Sequence, residues 1–317
     1  MTKSLKPAAT ITDHIERLRG RGMDVDESLA RQWLSNVSYY RLSAYWFPAR
    51  SVDATGAVVD EFRAGTTFAD AVALYEADRK LRMLVHDGME RIEIAMRTRL
   101  GELLCEEGPV SYKDPARFRP RFDHAGWLTT AQKRVARSER TSESIKHYQA
   151  TYGGTYPFWV LAEVLDFSDI SRLFSGLSAA EQRAVAESLD ITIRPETLSR
   201  EQRSKATRQS PLAPWMHQMT VIRNITAHHG RLWNRSFVPA PTTGLRTQAC
   251  FHALPAGQSE RIFGALTLMA HILRTTSPGT SWPAKVANHL ESQFLPNNLV
   301  QPQAMGLPGN GQGTVQL

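Results

Sequence analysis

"TTFADAVALYEADRKLRMLVHDGMERIEIAMRTRLGELLCEEG", residues 66–108, is the longest periodic stretch of the chain. Its apolar residues recur at spacings of three, four or seven: Leu74, Leu81, Leu84, Val85, Met89, Ile92, Met96 and Leu100. Because one helical turn takes about 3.6 residues, this spacing gathers them on one face of a helix. Thr66 or Thr67 stands where an N-cap is needed. The stretch therefore predicts one long amphipathic helix.

On both sides of this stretch the pattern is helical almost throughout. Towards the N-terminus, residues 10–22 and 26–37 each combine a capping side chain with apolar residues at helical spacing, and "SYYRLSAYWFP" (38–48) follows, dense in aromatics. Within 51–65, "GAVVDEF" suits one arm of a short hairpin. Towards the C-terminus, helical patterns cover residues 125–153, 157–177, 178–191, 210–235 and 259–278.

These patterns predict an all-α chain in three parts. We expect an N-terminal helical and aromatic region over residues 1–62 and a larger helical domain over 63–295. Residues 296–317 are rich in Pro, Gly, Asn and Gln, which predicts a disordered C-terminal tail. No internal repeat and no glycine-rich phosphate loop is present.

The chain of 317 residues carries a net charge of +7, mostly through arginine. Guanidinium groups suit phosphate because they fork onto two oxygens and stack on bases, so a nucleic-acid partner is favoured over ordinary solvated faces. The cations cluster at Arg117, Arg119 and Arg121, at Lys133, Arg134, Arg137 and Arg140, and at Arg200, Arg203, Lys205 and Arg208.

Other sequence features exclude several classes of protein. No apolar run of about 18 residues exists, so no membrane span is expected. The polar N-terminus lacks a secretory signal, and the isolated Cys105 and Cys250 form no ligand pattern, which favours a cytoplasmic location. No cluster of metal ligands is apparent, so we expect no metal and no cofactor.

The segment "RNITAHHGRLWNR" (223–235) collects groups able to hold phosphate and move protons. On a helix, Asn224 and His228 lie at i and i+4, and Arg223 is long enough to reach across the arc between them. On these residues alone, a purely structural role for the three side chains is favoured over an active site. His229 points about 100° away from His228 and is expected to pack or to bond the backbone.

This segment resembles the R-x₄₋₆-H motif of HEPN-domain ribonucleases. The wider string resembles abortive-infection proteins of the AbiD/AbiF type, and "VSYYRLSAYWFP", "LYEADRKLRMLVHDGMERIEIAMRTRL" and "PFWVLAEVLDFSDISRLF" agree in order. The resemblance covers roughly residues 10–295. It implies an all-α, HEPN-like helical bundle with an N-terminal helical extension. It also implies a toxin-like phage-defence protein that cuts RNA as a homodimer, with Arg223, Asn224 and His228 as its catalytic residues.

The residue types fit this chemistry. RNA is cut without metal when its own 2′-OH attacks the neighbouring phosphorus, leaving a 2′,3′-cyclic phosphate. An imidazole moves protons near neutral pH, and Arg223 would neutralise charge on the phosphate. One motif offers a single firm His, so a second protomer is the simplest source of the other.

Further residues are predicted to contact RNA: Tyr40, Arg41, Arg97, Arg231 and Arg235. For Trp46 and Phe47 a core position is favoured over stacking on bases. Glu93 and Arg97 suit an i, i+4 pair on a solvated face, or else one of them reaches the Arg223 site.

A second R-x₆-H spacing, Arg79 and His86, is a candidate for a second nuclease motif. Against it stands a simple pairing of His86 with Asp87 or Glu90.

Three other interpretations stay open. The motif side chains can be purely structural. The chain can be an RNA-binding protein without catalysis, in which the same arginines hold a structured RNA, and a regulatory or antitoxin RNA is a further candidate partner. Residues 12–45 can form a helix-turn-helix that binds DNA, although such spacing is common in helical proteins.

Overall fold

The computed structural model describes residues 7–308 and 315–317, and over these residues the fold is all-α, as predicted. The helices are α1 (Ile11–Gly20), α2 (Glu27–Asn36), α3 (Tyr39–Trp46), α4 (Phe68–Cys105), α5 (His124–Ser138), α6 (Glu143–Tyr152), α7 (Phe158–Val164), α8 (Phe167–Gly176), α9 (Ala179–Glu187), α10 (Arg200–Arg208), α11 (Leu212–Ala227), α12 (Ile262–Thr276), α13 (Trp282–His289) and α14 (Pro302–Met305). Two small antiparallel sheets pair β1 (Arg50–Val52) with β2 (Val58–Phe62) and β3 (Ala240–Pro241) with β4 (Gln258–Ser259).

The long helix α4 confirms the prediction from its apolar stripe. Thr67 caps it, since its hydroxyl accepts a hydrogen bond of 2.9 Å from the N–H of Asp70. Every predicted stripe residue except Leu84 has no exposed surface. Helix α4 buries a continuous apolar face and is the longest helix of the described residues.

The described residues divide into two compact units. Of the described residues, the first unit comprises 7–81, Lys285–Pro302 and 315–316, and the second comprises Arg82–Ala284, 303–308 and Leu317. Helix α4 runs from the first unit into the second, so its two parts are described separately below.

In the first unit, α3 packs its aromatic residues around the start of α4. Trp46 is 2% exposed, and the Tyr45 hydroxyl donates to a carboxylate oxygen of Asp78 at 2.8 Å. The core position predicted for Trp46 is confirmed. The same prediction for Phe47 is wrong, because that ring is 53% exposed. Phe47 follows Tyr40 by seven residues, close to two helical turns, so it emerges on the outward face.

The C-terminal segment of the first unit returns to α4. A ring nitrogen of His289 lies 2.8 Å from the Ala77 carbonyl, and the Asn297 amide donates to the Asp70 carbonyl at 2.8 Å. Beyond residue 296, helix α14 forms and Leu299 and Met305 are buried. The disordered tail predicted from composition is therefore wrong for residues 296–308, where scattered apolar residues find core positions. Residues 309–314 lie outside the described part.

In the second unit, three predicted helices are shorter than the sequence pattern suggested. The stretch 125–153 breaks into α5 and α6, and Ser142 caps α6. The stretch 157–177 breaks into α7 and α8, because Asp166 and Asp169 form a capping box that starts a new helix. The stretch 210–235 is helical only as far as α11 extends.

Buried tryptophans tie the helices of this unit to neighbouring backbone. The Trp127 indole N–H donates to the Asp169 carbonyl at 2.9 Å, and that of Trp215 donates to the Pro241 carbonyl at 2.8 Å. Both side chains have no exposed surface. These contacts fix α5 against α8 and α11 against β3.

Candidate active site at the end of helix α11

Helix α11 ends inside the predicted motif. The N–H of Gly230 donates to the Ile225 carbonyl at 2.7 Å and the N–H of His229 to the Thr226 carbonyl at 3.0 Å, which is the Schellman arrangement of a helix C-terminus. His229 takes the left-handed position with φ of 57°. Predicting helix through residue 235 was wrong, because this terminus turns the chain away after Ala227.

Glycine is required at position 230. A Cβ there would lie 2.8 Å from the Ile225 Cγ2 atom and 3.1 Å from the Ile225 carbonyl oxygen. His229 is exposed, so of its two expected roles packing is wrong, and a bond to the backbone stays a prediction. A non-glycine residue at positive φ is uncommon, and such positions cluster at functional sites.

The three predicted catalytic residues lie on the last turn of α11. His228 is the C-cap residue and is exposed, as is Asn224. The Arg223 side chain is 33% exposed, and its Nη1 lies 3.4 Å from the Asn224 amide oxygen. The structure thus brings Arg223 and Asn224 into contact and leaves the His228 imidazole open to solvent.

Arg223 lines a cleft of about 750 Å³, whereas Asn224 and His228 do not. One wall of the cleft is a face of α4 that runs from His86 to Cys105, and the other comes from α7 around Trp159 and Glu163. That face of α4 is about 28 Å long, from a rise of roughly 1.5 Å per residue. Arg223 therefore lies where a long groove meets the motif.

Glu93 on α4 reaches Arg223 from the neighbouring helix. A Glu93 carboxylate oxygen lies 3.8 Å from the Arg223 Nε atom, and Glu93 also makes an ion pair with Arg97. Both Glu93 and Arg97 are nearly buried, with side chains 12% and 13% exposed, so the expected pair is not on a solvated face. Arg97 donates further to the Leu165 carbonyl at 2.8 Å. Low exposure strengthens these interactions, so they hold Arg223 in a defined place.

A smaller hollow, of about 340 Å³, also has Arg223 in its lining, together with Arg137 and Asp166. Burial raises the pKa of Asp166, but a hydrogen bond from Arg137 and the charges of Arg134, Arg137 and Arg223 outweigh it and lower the pKa. Asp166 is therefore a carboxylate that adds to the field around Arg223. The sequence did not point to it, because it stood inside an apparent helix.

The predicted RNA contacts are distributed differently. Arg97 is buried against Glu93 and so is unsuited to the direct RNA contact that the sequence predicted. Arg231 lies over the Trp233 ring at 5.6 Å and donates to the Asn234 carbonyl, while Arg235 is exposed. Both follow the motif in the chain, and their contact with RNA stays a prediction.

Tyr40 and Arg41 are exposed in the first unit. The connection between α1 and α2 takes residues 21–26, longer than the three or four residues of a helix-turn-helix turn. This length weakens the DNA-binding interpretation.

The second candidate motif is divided. Arg79 binds Glu76 on the same helix, with nitrogen–oxygen distances of 2.8–3.0 Å, and belongs to the first unit. His86 is exposed and lines the cleft beside Arg223. Of this pair, only His86 lies at the candidate site.

Several of the clustered arginines make ion pairs with carboxylates of the same chain. Arg117 makes ion pairs with Glu107 and Glu181, and Arg134 makes them with Asp166 and Asp169 at 2.7 and 2.8 Å. Their carboxylate partners cannot be foreseen from sequence, because they lie far along the chain. Overall basicity therefore overstates the number of arginines open to a polyanion.

Two apolar residues of the cleft were missed. Ile94 and Trp159 are 55% and 52% exposed. Trp159 occurs in a run where nearly every neighbour is apolar, so no periodicity marks it as exposed. Ile94 lies off the apolar stripe of α4, close to the charged Glu93 and Arg97, so its position in the helical repeat could have marked it as exposed.

Across the described residues, no group of three or more His, Cys, Asp or Glu side chains is placed to hold a metal ion. In the same part of the chain, no helix has the length and apolar character to cross a membrane.

Comparison with known proteins supports the resemblance noted from the sequence. No curated protein and no solved structure matches the chain. Residues 32–234 match the family described as Abi-like protein, a span that includes α3, the cleft and the whole R-x₄-H segment. The chain therefore belongs to the Abi-like protein family.

Proposed function

We propose that this chain is a metal-independent endoribonuclease of the HEPN type, with Arg223, Asn224 and His228 as its catalytic residues. Membership of the Abi-like family suggests a role in abortive infection, a form of phage defence. The observation that carries the proposal is the Arg223 guanidinium, held between Glu93 and Asn224, five residues before the exposed imidazole of His228.

In the proposed reaction, His228 takes the proton of an RNA 2′-hydroxyl. The 2′-oxygen forms a bond to the adjacent phosphorus while the bond from phosphorus to the 5′-oxygen breaks. A second imidazole protonates that leaving oxygen, and the products are a 2′,3′-cyclic phosphate and a 5′-hydroxyl. Arg223 stabilises the charge that grows on the phosphate oxygens, and Asn224 orients Arg223.

Glu93 acts through Arg223 as a positioning residue. A long, flexible arginine loses conformational entropy when it binds phosphate, and a carboxylate that already holds it reduces that loss. Because the Glu93 side chain is only 12% exposed, water screens this contact weakly. The arrangement presents Arg223 to substrate in a preferred orientation.

The second imidazole would come from a second copy of the chain. Support comes from the cleft, where the half-exposed Ile94 and Trp159 form an apolar centre beside Arg223. Glu90, Glu102 and Glu163 line the same cleft and would offset the repulsion between two cationic motifs. Tryptophan at the centre of a surface with a polar rim is typical of protein interfaces.

The first experiment compares single variants on total RNA. Arg223→Ala and His228→Ala should each abolish cleavage while leaving helicity and the melting temperature unchanged. His229→Gly is the matched control, since it removes a neighbouring imidazole and suits the left-handed backbone. Equal cleavage by wild type and His228→Ala would remove the mechanism. Binding of RNA without cleavage would favour the alternative of a non-catalytic RNA-binding protein.

The second experiment tests the shared site by mixing chains at fixed total protein. Wild-type chains are mixed with His228→Ala chains, and a mixed dimer then holds only one of the two imidazoles that the reaction needs. Cleavage that falls with the square of the wild-type fraction supports a site built by two protomers, whereas a fall in simple proportion to that fraction would count against it. A chain that stays monomeric in light scattering and still cuts RNA at full rate would overturn it.

A further inference from the structure

Helix α3 and the residue that follows it present two aromatic rings to solvent. Tyr40 is 89% exposed and Phe47 is 53% exposed, although Tyr45 and Trp46 between them are buried. Large aromatic residues usually bury most of their surface, so this face of the first unit carries an unusual pair.

The two rings lie on one side of a continuous helical path. Ser38 caps α3, and Phe47 keeps helical backbone angles, with φ of −53° and ψ of −41°. Seven residues at about 100° each bring Phe47 to within roughly 20° of Tyr40 around the axis. Their separation along the axis is about 10 Å.

The Phe47 ring is held in place by neighbouring residues and lies next to a positive charge. The Arg50 guanidinium lies 5.0 Å from the centre of the Phe47 ring and pairs with Asp60 at 2.9 Å. Asp60 also binds Arg21 at 2.6 Å, which ties the hairpin to the turn after α1. The Phe47 ring is thus held by a cation–π contact, and one more arginine, Arg41, is exposed next to Tyr40.

We propose that Tyr40 and Phe47 form a stacking platform for the bases of single-stranded RNA. This proposal rests on the proposed ribonuclease function and names the form of its substrate. Exposed aromatics next to arginines hold single strands by stacking on bases and contacting phosphates. The separation of about 10 Å corresponds to roughly three nucleotide steps of 3.4 Å, so the two rings would meet different bases. In a duplex each base is stacked between its neighbours, so Tyr40 and Phe47 would have no free base face to stack on and would not strengthen binding.

The test measures binding of a fluorescent 12-nucleotide 2′-O-methyl RNA, which lacks the attacking hydroxyl and so is not consumed. Fluorescence anisotropy in chelator gives Kd for the single strand and for its duplex. Tyr40→Ala and Phe47→Ala should each weaken single-strand binding by roughly 5- to 150-fold, the equivalent of about 1–3 kcal/mol per stacked base. Tyr40→Phe should restore the wild-type Kd, and duplex binding should not change.

The control is a Val52→Ser/Val58→Ser double variant. These valines pair across the β1–β2 hairpin and are 60% and 55% exposed, so the change removes apolar surface without removing a ring. Equal loss in this variant would mark a general apolar surface for a protein partner and overturn the platform. Equal loss for single strand and duplex would also overturn it.

The experiments distinguish a failure of the stacking platform from a failure of the proposed ribonuclease function. If wild-type chain binds the oligonucleotide through Tyr40 but cuts no RNA, only the proposed function fails. If wild-type chain cuts RNA and Tyr40→Ala leaves both the Kd and the KM for a single-stranded substrate unchanged, only the platform fails.

Discussion

Replacing Glu93 with Gln should destabilise the second unit and displace Arg223. Glu93 faces two arginines at once, since it pairs with Arg97 and lies 3.8 Å from the Arg223 Nε atom. Gln keeps the shape of the side chain and loses its charge. The substitution therefore leaves a nearly buried Arg97 guanidinium without a counter-charge.

The magnitude follows from the exposure of the three groups. Two unit charges 4 Å apart interact by about 4 kcal/mol at an effective dielectric of 20 and by about 1 kcal/mol in bulk water. Arg223 is 33% exposed, so the energy of its interaction with Glu93 falls between these limits. Removing one partner of a buried pair costs about 3–5 kcal/mol, and an amide that still accepts a hydrogen bond keeps the loss near about 3 kcal/mol. At about 2–4 °C per kcal/mol, the melting temperature should fall by roughly 6–12 °C.

Thermal unfolding followed by circular dichroism measures this loss, and Glu102→Gln is the control. Glu102 lies on the same helix but is 64% exposed and pairs with Arg99 at 3.4 Å, so its removal should cost less than about 1 kcal/mol. Glu93→Gln combined with Arg97→Gln should cost clearly less than the sum of the single changes, because the two residues share one interaction. Equal effects of Glu93→Gln and Glu102→Gln, or strict additivity, would refute the reasoning.

Three further predictions follow from other parts of the fold. Gly230→Ala should destabilise the chain by about 1–3 kcal/mol, because its Cβ would lie 2.8 Å from Ile225, whereas Gly101→Ala on α4 meets only Phe158 at 3.9 Å and should be tolerated; melting temperatures compare them. Burial lowers the pKa of His289 below its ordinary value of 6.5, more than its bond to Ala77 raises it. The unfolded state therefore binds more protons, and the stability that His289 contributes should be lost as the pH falls below 6.5, a slope that His289→Gln should flatten in melts between pH 7.5 and 5. Trp159→Asp should shift sedimentation towards monomer, whereas Tyr152→Asp, at a ring 55% exposed, should not.

Periodicity carried the prediction of the long helices, because burial of one face repeats along the sequence. In α4 that repeat persists over ten turns, and the capping threonine marks its start, so the element was found from spacing alone. The Glu93–Arg97 spacing also indicated a pair, and one of its two suggested roles, reaching Arg223, is the one that the structure contains.

Helix ends and exposure were harder to foresee. The break before α8 had a sequence signal, the D-x-x-D spacing of Asp166 and Asp169, which an apolar run obscured. Helix α11 ends because His229 adopts the left-handed backbone conformation, a position where Gly is usual. With His at this position, the sequence pattern did not indicate the end of the helix. Phe47 was placed in the core because its neighbours are aromatic, yet only its position around the helix decides its exposure.

The chemical nature of the cut RNA ends distinguishes the proposed metal-independent cleavage from a metal-dependent one. Purified chain is incubated with RNA in EDTA, and the new ends are analysed by mass spectrometry beside those from Arg223→Ala and His228→Ala chains. We expect 2′,3′-cyclic phosphate and 5′-hydroxyl ends from the wild type, undiminished by chelator, and none from either variant. Cleavage that requires Mg²⁺ or Mn²⁺ and leaves 3′-hydroxyl ends would contradict this expectation.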